Sequence, residues 1–364
     1  MAAEDPALER LIDQVRAARV DRCALDIRGG GTKAFYGEAP QGLPLDVRPL
    51  AGIAAYEPSE LVVTVRAGTP LAELEAALAA QGQCLAFEPP RLAEGGTVGG
   101  MVAAGLAGPA RAAVGGVRDF LLGATLLDGR GEVLSFGGQV MKNVAGYDVS
   151  RVLAGSLGIL GVICEVSLKV LPRPPASATV RFELDEATAL RRINEWSGQP
   201  LPVGASAWWE GMLVVRLSGA RAAVQSALQR LGGERIDDAL AATFWDGLRD
   251  QRDEFFVGAT QAVERGAVLW RLSVPSTAPP LGLSGEQLIE WGGAQRWLCT
   301  STPAAQLREA ARQAGGHATL YRGGDRSCGV FEPLSAPLAR IHRELKAAFD
   351  PDGVFNRGRL YPGL

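Results

Sequence analysis

Three glycine-dense segments limit what this chain can fold into more than any other feature. They are Arg28-Gly29-Gly30-Gly31-Thr32, Gly95-Gly96-Thr97-Val98-Gly99-Gly100 and Gly155-Ser156-Leu157-Gly158-Ile159-Leu160-Gly161-Val162-Ile163. Residues without a Cβ tolerate positive φ and let amide N–H groups converge on an anion. The first segment offers a phosphate nest, the second adds the Thr97 hydroxyl, and the third repeats the chemistry before a strand. Three such loops together suit a long groove for an extended dinucleotide. Plain helix–strand packing glycine is the alternative. The letters Gly29-x-Gly31-x-x-Ala34 also fit the dinucleotide fingerprint, but that fingerprint needs a long helix directly after the loop. Phe35-Tyr36-Gly37 and then Pro40 leave no room for one, so the Rossmann reading fails on context.

The elements around these loops are legible. Asp5 caps a helix that Pro6 opens, with Leu8, Leu11, Ile12 and Val15 on one face. A strand over 24–27 enters the first glycine loop, a second strand covers 61–66, and a helix carrying Leu71, Leu74 and Leu78 runs from Thr69-Pro70 to Gly82. A hairpin over 121–127 and 132–136 turns through Asp128-Gly129-Arg130-Gly131, and 162–171 alternates as a strand. Pro172-Arg173-Pro174-Pro175 marks a domain boundary. Beyond it, two similar blocks predict a cap. The first has strands near 178–182, 206–209 and 213–217 with helices over 186–196 and 220–231. The second has a strand over 267–274, a hairpin through Gly292-Gly293, a helix over 304–314 and a strand over 317–321. The expected class is α+β: a first domain over 1–173, a ferredoxin-like cap over 174–336 and a C-terminal segment over 337–364.

Composition excludes several functions. With 47% hydrophobic and 21% charged residues the chain is expected to build a packed core. A net charge of −3 argues against nucleic acid as a partner. No apolar run reaches the ~18–20 residues that span a bilayer, and the polar start does not read as a secretory signal. The five cysteines are scattered with no C-x-x-C spacing, which reads as reduced thiols of a cytoplasmic protein and leaves no iron–sulfur or zinc motif. The only histidines are His317 and His342, so no metal site is expected.

The order of motifs carries a family resemblance. Arg-Gly-Gly-Gly-Thr, Gly-Thr-Val-Gly-Gly, Val117-Arg118-Asp119, Lys142-Asn143-Val144-Ala145-Gly146-Tyr147-Asp148 and Gly-Ser-Leu-Gly-Ile-Leu-Gly-Val-Ile together resemble the PCMH-type FAD-binding domain of the vanillyl-alcohol-oxidase class. The tail Phe349-Asp350-Pro351-Asp352-Gly353-Val354-Phe355-Asn356-Arg357-Gly358-Arg359 resembles the segment by which such flavoproteins return to the FAD domain. Within that class the whole length is similar to the FAD-binding subunits of bacterial glycolate oxidases. The resemblance implies that Arg28, Gly29, Gly30, Gly31 and Thr32, with Gly96, Thr97, Val98, Gly99 and Gly100, hold the FAD pyrophosphate. It implies that the Val162-Ile163 region lies along the adenine end, that Gly155, Gly158 and Gly161 also bind the cofactor, and that Asn356 and Arg359 approach the flavin.

Two departures from relatives refine this. Covalent flavoproteins of the class place a histidine where this chain has Thr32, so the resemblance implies non-covalent FAD. Similar 2-hydroxy-acid dehydrogenases carry a histidine-rich metal site in the cap, near a His-Gly-Asp-Gly-Asn stretch. Here only His317, Arg322 and Asp325 occupy the comparable region, too few ligands for a transition metal. Other positions stay open between function and packing. Lys142 faces a phosphate or flavin, or is solvated. Tyr147 and Asp148 contact the cofactor or bond locally. Trp208 and Trp209 point opposite ways on a strand, so at most one faces the flavin. Arg322 clamps a carboxylate or serves a turn.

The leading expectation is thus an FAD-dependent oxidoreductase subunit oxidising glycolate to the 2-oxo acid, with D-lactate left open as a further substrate. The partners implied by resemblance are a related FAD-containing catalytic subunit and an iron–sulfur subunit, through which alone the protein would meet the inner face of the membrane. A self-sufficient 2-hydroxy-acid dehydrogenase is the second reading; it needs a general base, and no catalytic residue is evident in the sequence. A structural partner that keeps the fold without flavin is the third.

Overall fold

The computed structural model describes residues 5–138 and 148–364. The N-terminal helix Pro6–Val20 begins where expected: the Asp5 carboxylate accepts from Ala7 N and Leu8 N, and Leu11, Ile12, Val15 and Ala18 are buried. It covers a parallel pair of strands, Leu25–Arg28 and Leu43–Asp46. Beside this pair lies a five-stranded antiparallel sheet, ordered Ile53–Glu57, Val62–Arg66, Val162–Lys169, Leu121–Leu127 and Val133–Gly137. The middle strand serves two cores. Ile163, Val166 and Leu168 pack with the helices Leu71–Ala80 and Val98–Ala104, whereas Val162 and Cys164 pack beneath the N-terminal helix. The strand opens on Val162-Ile163-Cys164, buried on both faces, and then alternates, with Glu165 turned away from the core that holds Val166 and Leu168.

The cap is one eight-stranded antiparallel sheet built from two halves. The first half is ordered Glu234–Ile236, Ala176–Glu183, Met212–Gly219, Val203–Trp209; the second is ordered Glu286–Glu290, Gln295–Thr300, Val268–Ser273, His317–Arg322. Numbered along the chain within each half these are 4-1-3-2 and its mirror 2-3-1-4, the ferredoxin-like order the blocks predict. The halves join edge to edge where Ala207 stands opposite Glu290. Two helices absent from the expected cap, Asp238–Arg249 and Glu254–Glu264, link the halves. Their Trp245, Leu248, Phe255 and Phe256 cover the sheet face that meets the first domain, in one apolar cluster with Tyr36, Ala104, Leu106 and Leu157.

The last helix, Ala336–Phe349, leaves Leu338 and Ile341 exposed and anchors itself with a buried lysine instead. Lys346 Nζ donates to Asp350 Oδ2 at 2.6 Å and to the carbonyls of Ile159 and Phe355 at 2.7 and 2.8 Å. Asp350 in turn accepts from Val354 N and Phe355 N, which curls the tail so that Phe355 pairs with Leu25 beside the first strand. No helix among the described residues is long and apolar enough to cross a membrane.

Candidate cofactor site

All three glycine loops converge on one cavity with about 1110 Å³ of free space, its open mouth included. Arg28, Gly29, Gly30, Gly31, Thr32, Thr97, Gly99, Gly100, Gly158, Gly161, Ile163, Asn356 and Arg359 line it. Gly96, Val98, Gly155 and Val162 do not. Val98 and Val162 are fully buried in the two cores flanking the loops, Gly96 packs next to Thr32, and Gly155 lies against Gly105.

The glycines do different jobs. A Cβ on Gly29 would overlap the Thr97 hydroxyl, and one on Gly30 would overlap the Gly95 carbonyl, so these two let the first loop sit directly on the second. A Cβ on Gly99 would lie 2.7 Å from Ala67 Cβ, and one on Gly158 would lie 2.7 Å from Asn356 Nδ2. Gly31 differs: its φ is +71° and a Cβ there meets nothing within 4 Å. Its positive φ favours glycine for conformational reasons while its surroundings stay free.

That freedom extends to the backbone. Thr97 accepts from Gly100 N as the cap of the helix Val98–Ala104, and Val98 N and Gly99 N donate to Thr69 and Ala67. By contrast, the amide N–H groups of Gly29, Gly30, Gly31 and Thr32 donate to no acceptor among the described residues. Four successive uncommitted N–H groups on a glycine-rich turn make an anion-binding concavity. Such groups at the wall of a cavity cost free energy unless water or a ligand accepts from them. The residues present therefore fit a dinucleotide: donors for the pyrophosphate at one loop and an apolar lining of Val47, Ala67, Ala103, Ala104, Leu157 and Ile163 for the rings.

Asn356 and Arg359 line the cavity but spend their polar atoms on the protein. Asn356 accepts from Ile27 N at 2.8 Å and donates to Leu157 O at 2.6 Å. Arg359 donates to the carbonyls of Ala34 and Tyr36 at 2.7 Å each, and to that of Glu38. They shape the site by tying the tail to the first and third loops. Lys33, which the motifs did not single out, also lines the cavity. Burial pushes its ammonium down to about 8 against a weak opposing pull from Asp250, and it has no ion-pair partner among the described residues. Its position next to Thr32 was visible in the sequence; its burial was not.

The remaining candidates fall elsewhere. Lys142 and Tyr147 lie outside the described residues, and Asp148 caps the short helix Val149–Val152. Trp208 packs into the outer core of the cap and donates to Leu184 O, while Trp209 packs on the opposite side and donates to Glu286; neither lines the cavity. Arg322 stacks its guanidinium 3.8 Å over Phe35, joining cap to first domain rather than ending a turn or clamping an acid. No cluster of three or more His, Cys, Asp or Glu poised to hold a metal occurs among the described residues.

The comparisons with known proteins agree with this architecture. Residues 7–137 match the FAD binding domain family. The glycolate oxidase subunit GlcE of Escherichia coli (strain K12) is 49% identical over 356 residues, covering 98% of each chain. The glycolate oxidase subunit GlcD of Bacillus subtilis (strain 168) is 30% identical over 156 residues, 42% of this chain and 33% of that one. An alkyldihydroxyacetonephosphate synthase structure superposes with a TM-score of 0.62 over 98% of this chain and 75% of that one, at 16% identity, a likeness of fold. With the FAD binding domain matched and near-complete mutual coverage of GlcE, this chain belongs to the family of FAD-binding glycolate oxidase subunits.

Proposed function

We propose that this chain holds FAD non-covalently in the glycine-lined cavity and serves as a flavin subunit of a multi-chain enzyme oxidising glycolate, and D-lactate in addition, to the 2-oxo acid. The carrying observation is the row of uncommitted N–H groups from Gly29 to Thr32 at the wall of a cavity large enough for a dinucleotide. In this reading Gly29 to Thr32 hold the pyrophosphate, with Lys33 adding a positive charge. Gly161 and Ile163 flank the adenine end, and Asn356 and Arg359 fix the loops rather than the flavin itself. Bound FAD supplies the two-electron oxidising chemistry; the chain binds it, orients it and screens it from water. Thr32 has no nucleophilic ring nitrogen with which to form a flavin bond. The expected partners are a GlcD-like FAD subunit and an iron–sulfur subunit, because no C-x-x-C spacing is available here for a cluster. Contact with the inner face of the cell membrane would run through those partners.

The test is direct. The purified protein should be yellow and release intact FAD into the supernatant on acid precipitation. Flavin that stays with the denatured chain sinks the non-covalent reading, and absence of flavin after refolding with excess FAD sinks the site. Assayed with glycolate and a dye acceptor, the isolated chain should turn over slowly or not at all until its partner subunits are added. Robust dye reduction by the single chain would favour a self-sufficient dehydrogenase.

A further inference from the structure

The loop that follows the first glycine cluster is gripped from two sides. Arg359 of the tail donates to the carbonyls of Ala34, Tyr36 and Glu38. Arg326 of the cap donates to the two carbonyls between them, that of Gly37 at 2.6 Å and that of Phe35 at 2.7 Å. Two guanidinium forks from distant parts of the chain thus take alternate carbonyls of the same five residues. Neither arginine has an ion-pair partner among the described residues. Hydrogen bonds from a charged fork are stronger and more directional than neutral ones. Burial lowers the Arg359 guanidinium below its usual range, and Arg326 lowers it further against pulls from Asp26 and Glu38. The two like charges therefore stand within electrostatic reach, and the carbonyls between them offset their repulsion.

Arg326 is itself held from both ends. Gly323 and Gly324, at φ of +76° and +70°, turn the chain away from the last cap strand, His317–Arg322. Asp325 then caps the short turn Arg326–Cys328, accepting from Ser327 N at 2.8 Å. Behind that turn, Arg308 on the helix Ala304–Gln313 donates to the carbonyls of Cys328 and Gly329 at 2.5 and 2.6 Å. Leu320 N donates to Val330 O at 2.9 Å, which lays the segment back against the strand it has just left. The same segment reaches the loop a second time, where Val330 N donates to the Glu38 carboxylate at 2.6 Å. On the other side of the grip, the loop is continuous with the glycine turn. Ala34 N donates to Gly31 O and Tyr36 N to Lys33 O, both at 3.0 Å, and Gly31, Thr32 and Lys33 line the dinucleotide cavity. A displacement at Phe35 or Gly37 therefore carries directly into the cavity wall.

We propose that Arg326 is a positioning residue for cofactor binding: by gripping Phe35 and Gly37 from the cap, it fixes the turn that presents Gly31, Thr32 and Lys33 to the dinucleotide cavity. Seating of the cap and retention of the cofactor are thereby linked. The cofactor half of this proposal rests on the flavin reading above; the grip on the loop stands without it. Arg359 belongs to the cavity wall and Arg326 does not, so Arg326 can be replaced without altering a group that lines the site. The fork geometry matters more than the charge, because a single ammonium does not reproduce two separate donations from one planar group.

Two measurements test this. In the apo chain, hydrogen exchange at the amides of Ala34, Tyr36 and Glu38 should speed up by about tenfold or more in Arg326→Met. Exchange in the N-terminal helix Pro6–Val20 should stay as in the wild type, which shows that the variant folds. Fluorescence titration with FAD should show binding about tenfold weaker in the same variant. Arg326→Lys should recover only part of that loss. Arg326→Ala should regain FAD affinity when millimolar methylguanidinium is added, because the free ion supplies the missing fork; a variant that is merely unstable would lose more, since guanidinium ions weaken the folded state. Arg340→Met removes an exposed arginine of the last helix and should change neither measurement. Unchanged loop exchange in Arg326→Met, full recovery in Arg326→Lys, or no rescue by methylguanidinium overturns the proposal. If the wild-type chain binds no FAD, the flavin reading fails, and exchange in the apo chain still decides the grip.

Discussion

Asn356 and Leu157 stand 199 positions apart, and the side-chain amide of the first donates to the carbonyl of the second at 2.6 Å. The other end of the same amide accepts from Ile27 N, so one buried side chain ties the tail to both the first strand and the third glycine loop. Its φ of +42° lies in the left-handed region that asparagine tolerates better than most residues. Asn356→Ala should therefore lose two buried hydrogen bonds, leave a donor and an acceptor unpaired, and destabilise the protein by about 2–4 kcal/mol. Urea denaturation with flavin content read in parallel checks this. Wild-type stability in the variant would mean that the tail does not hold the loops together.

Neighbouring glycines should respond differently to the same kind of change. Gly30→Val puts a side chain into the Gly95 carbonyl, so the first two loops must separate and FAD retention should be lost. Gly31→Ala meets no atom and bears only the positive-φ penalty, about 1 kcal/mol. It should fold and keep FAD with weakened affinity. Equal flavin occupancy in both variants would show that loop-on-loop packing does not govern the site.

Lys33 should make cofactor binding depend on pH. Its folded-state ammonium is held at about 8, below its ordinary 10.5, so the charged form is penalised in the apo chain. That penalty is complete below pH 8 and relieved as pH climbs toward 10.5, so apo stability gains over that window. A pyrophosphate bound beside it reverses the preference and draws a proton in. FAD affinity should fall by about threefold to tenfold between pH 7 and 9, and Lys33→Met should bind more weakly with a flat profile. Fluorescence titration of the apo protein with FAD reads both; a flat wild-type profile would remove Lys33 from the binding site.

Glu290 gives a stability signature with the opposite slope. Its carboxyl is raised from 4.5 to about 7, chiefly by burial, so ionisation is penalised in the folded chain. Below pH 4.5 both states are protonated and the penalty vanishes. Between 4.5 and 7 the unfolded chain gives up its proton first, and stability falls by roughly 3 kcal/mol at most. Above 7 the penalty is constant. Glu290→Gln keeps the shape and should raise Tm at pH 8 more than at pH 5, as measured by calorimetry at the two pH values. An equal shift at both would mean that Glu290 titrates normally.

Much of the architecture is local information. The Asp5-Pro6 helix start, the hairpin around Asp128–Gly131 and the ferredoxin-like halves follow from caps, turns and periodicity, each set by residues near one another in the chain. The glycine clusters also marked the wall of the cavity, because a backbone that must bend or approach closely advertises itself by lacking a Cβ. Other properties depended on residues distant in sequence. Packing alone decided that Gly30 rests on Gly95, that Asn356 and Arg359 spend their donors on protein carbonyls, and that Lys33 is half-buried and desolvated. The helices Asp238–Arg249 and Glu254–Glu264 earn their place by covering a sheet face formed from both halves of the cap. That Arg271 and Glu290 line one small cavity between cap and first domain was equally out of reach of the sequence. It arises only when two strands of a sheet, separated by a third, turn the same face toward another domain, and burial then sets charges and proton affinities that no local pattern encodes.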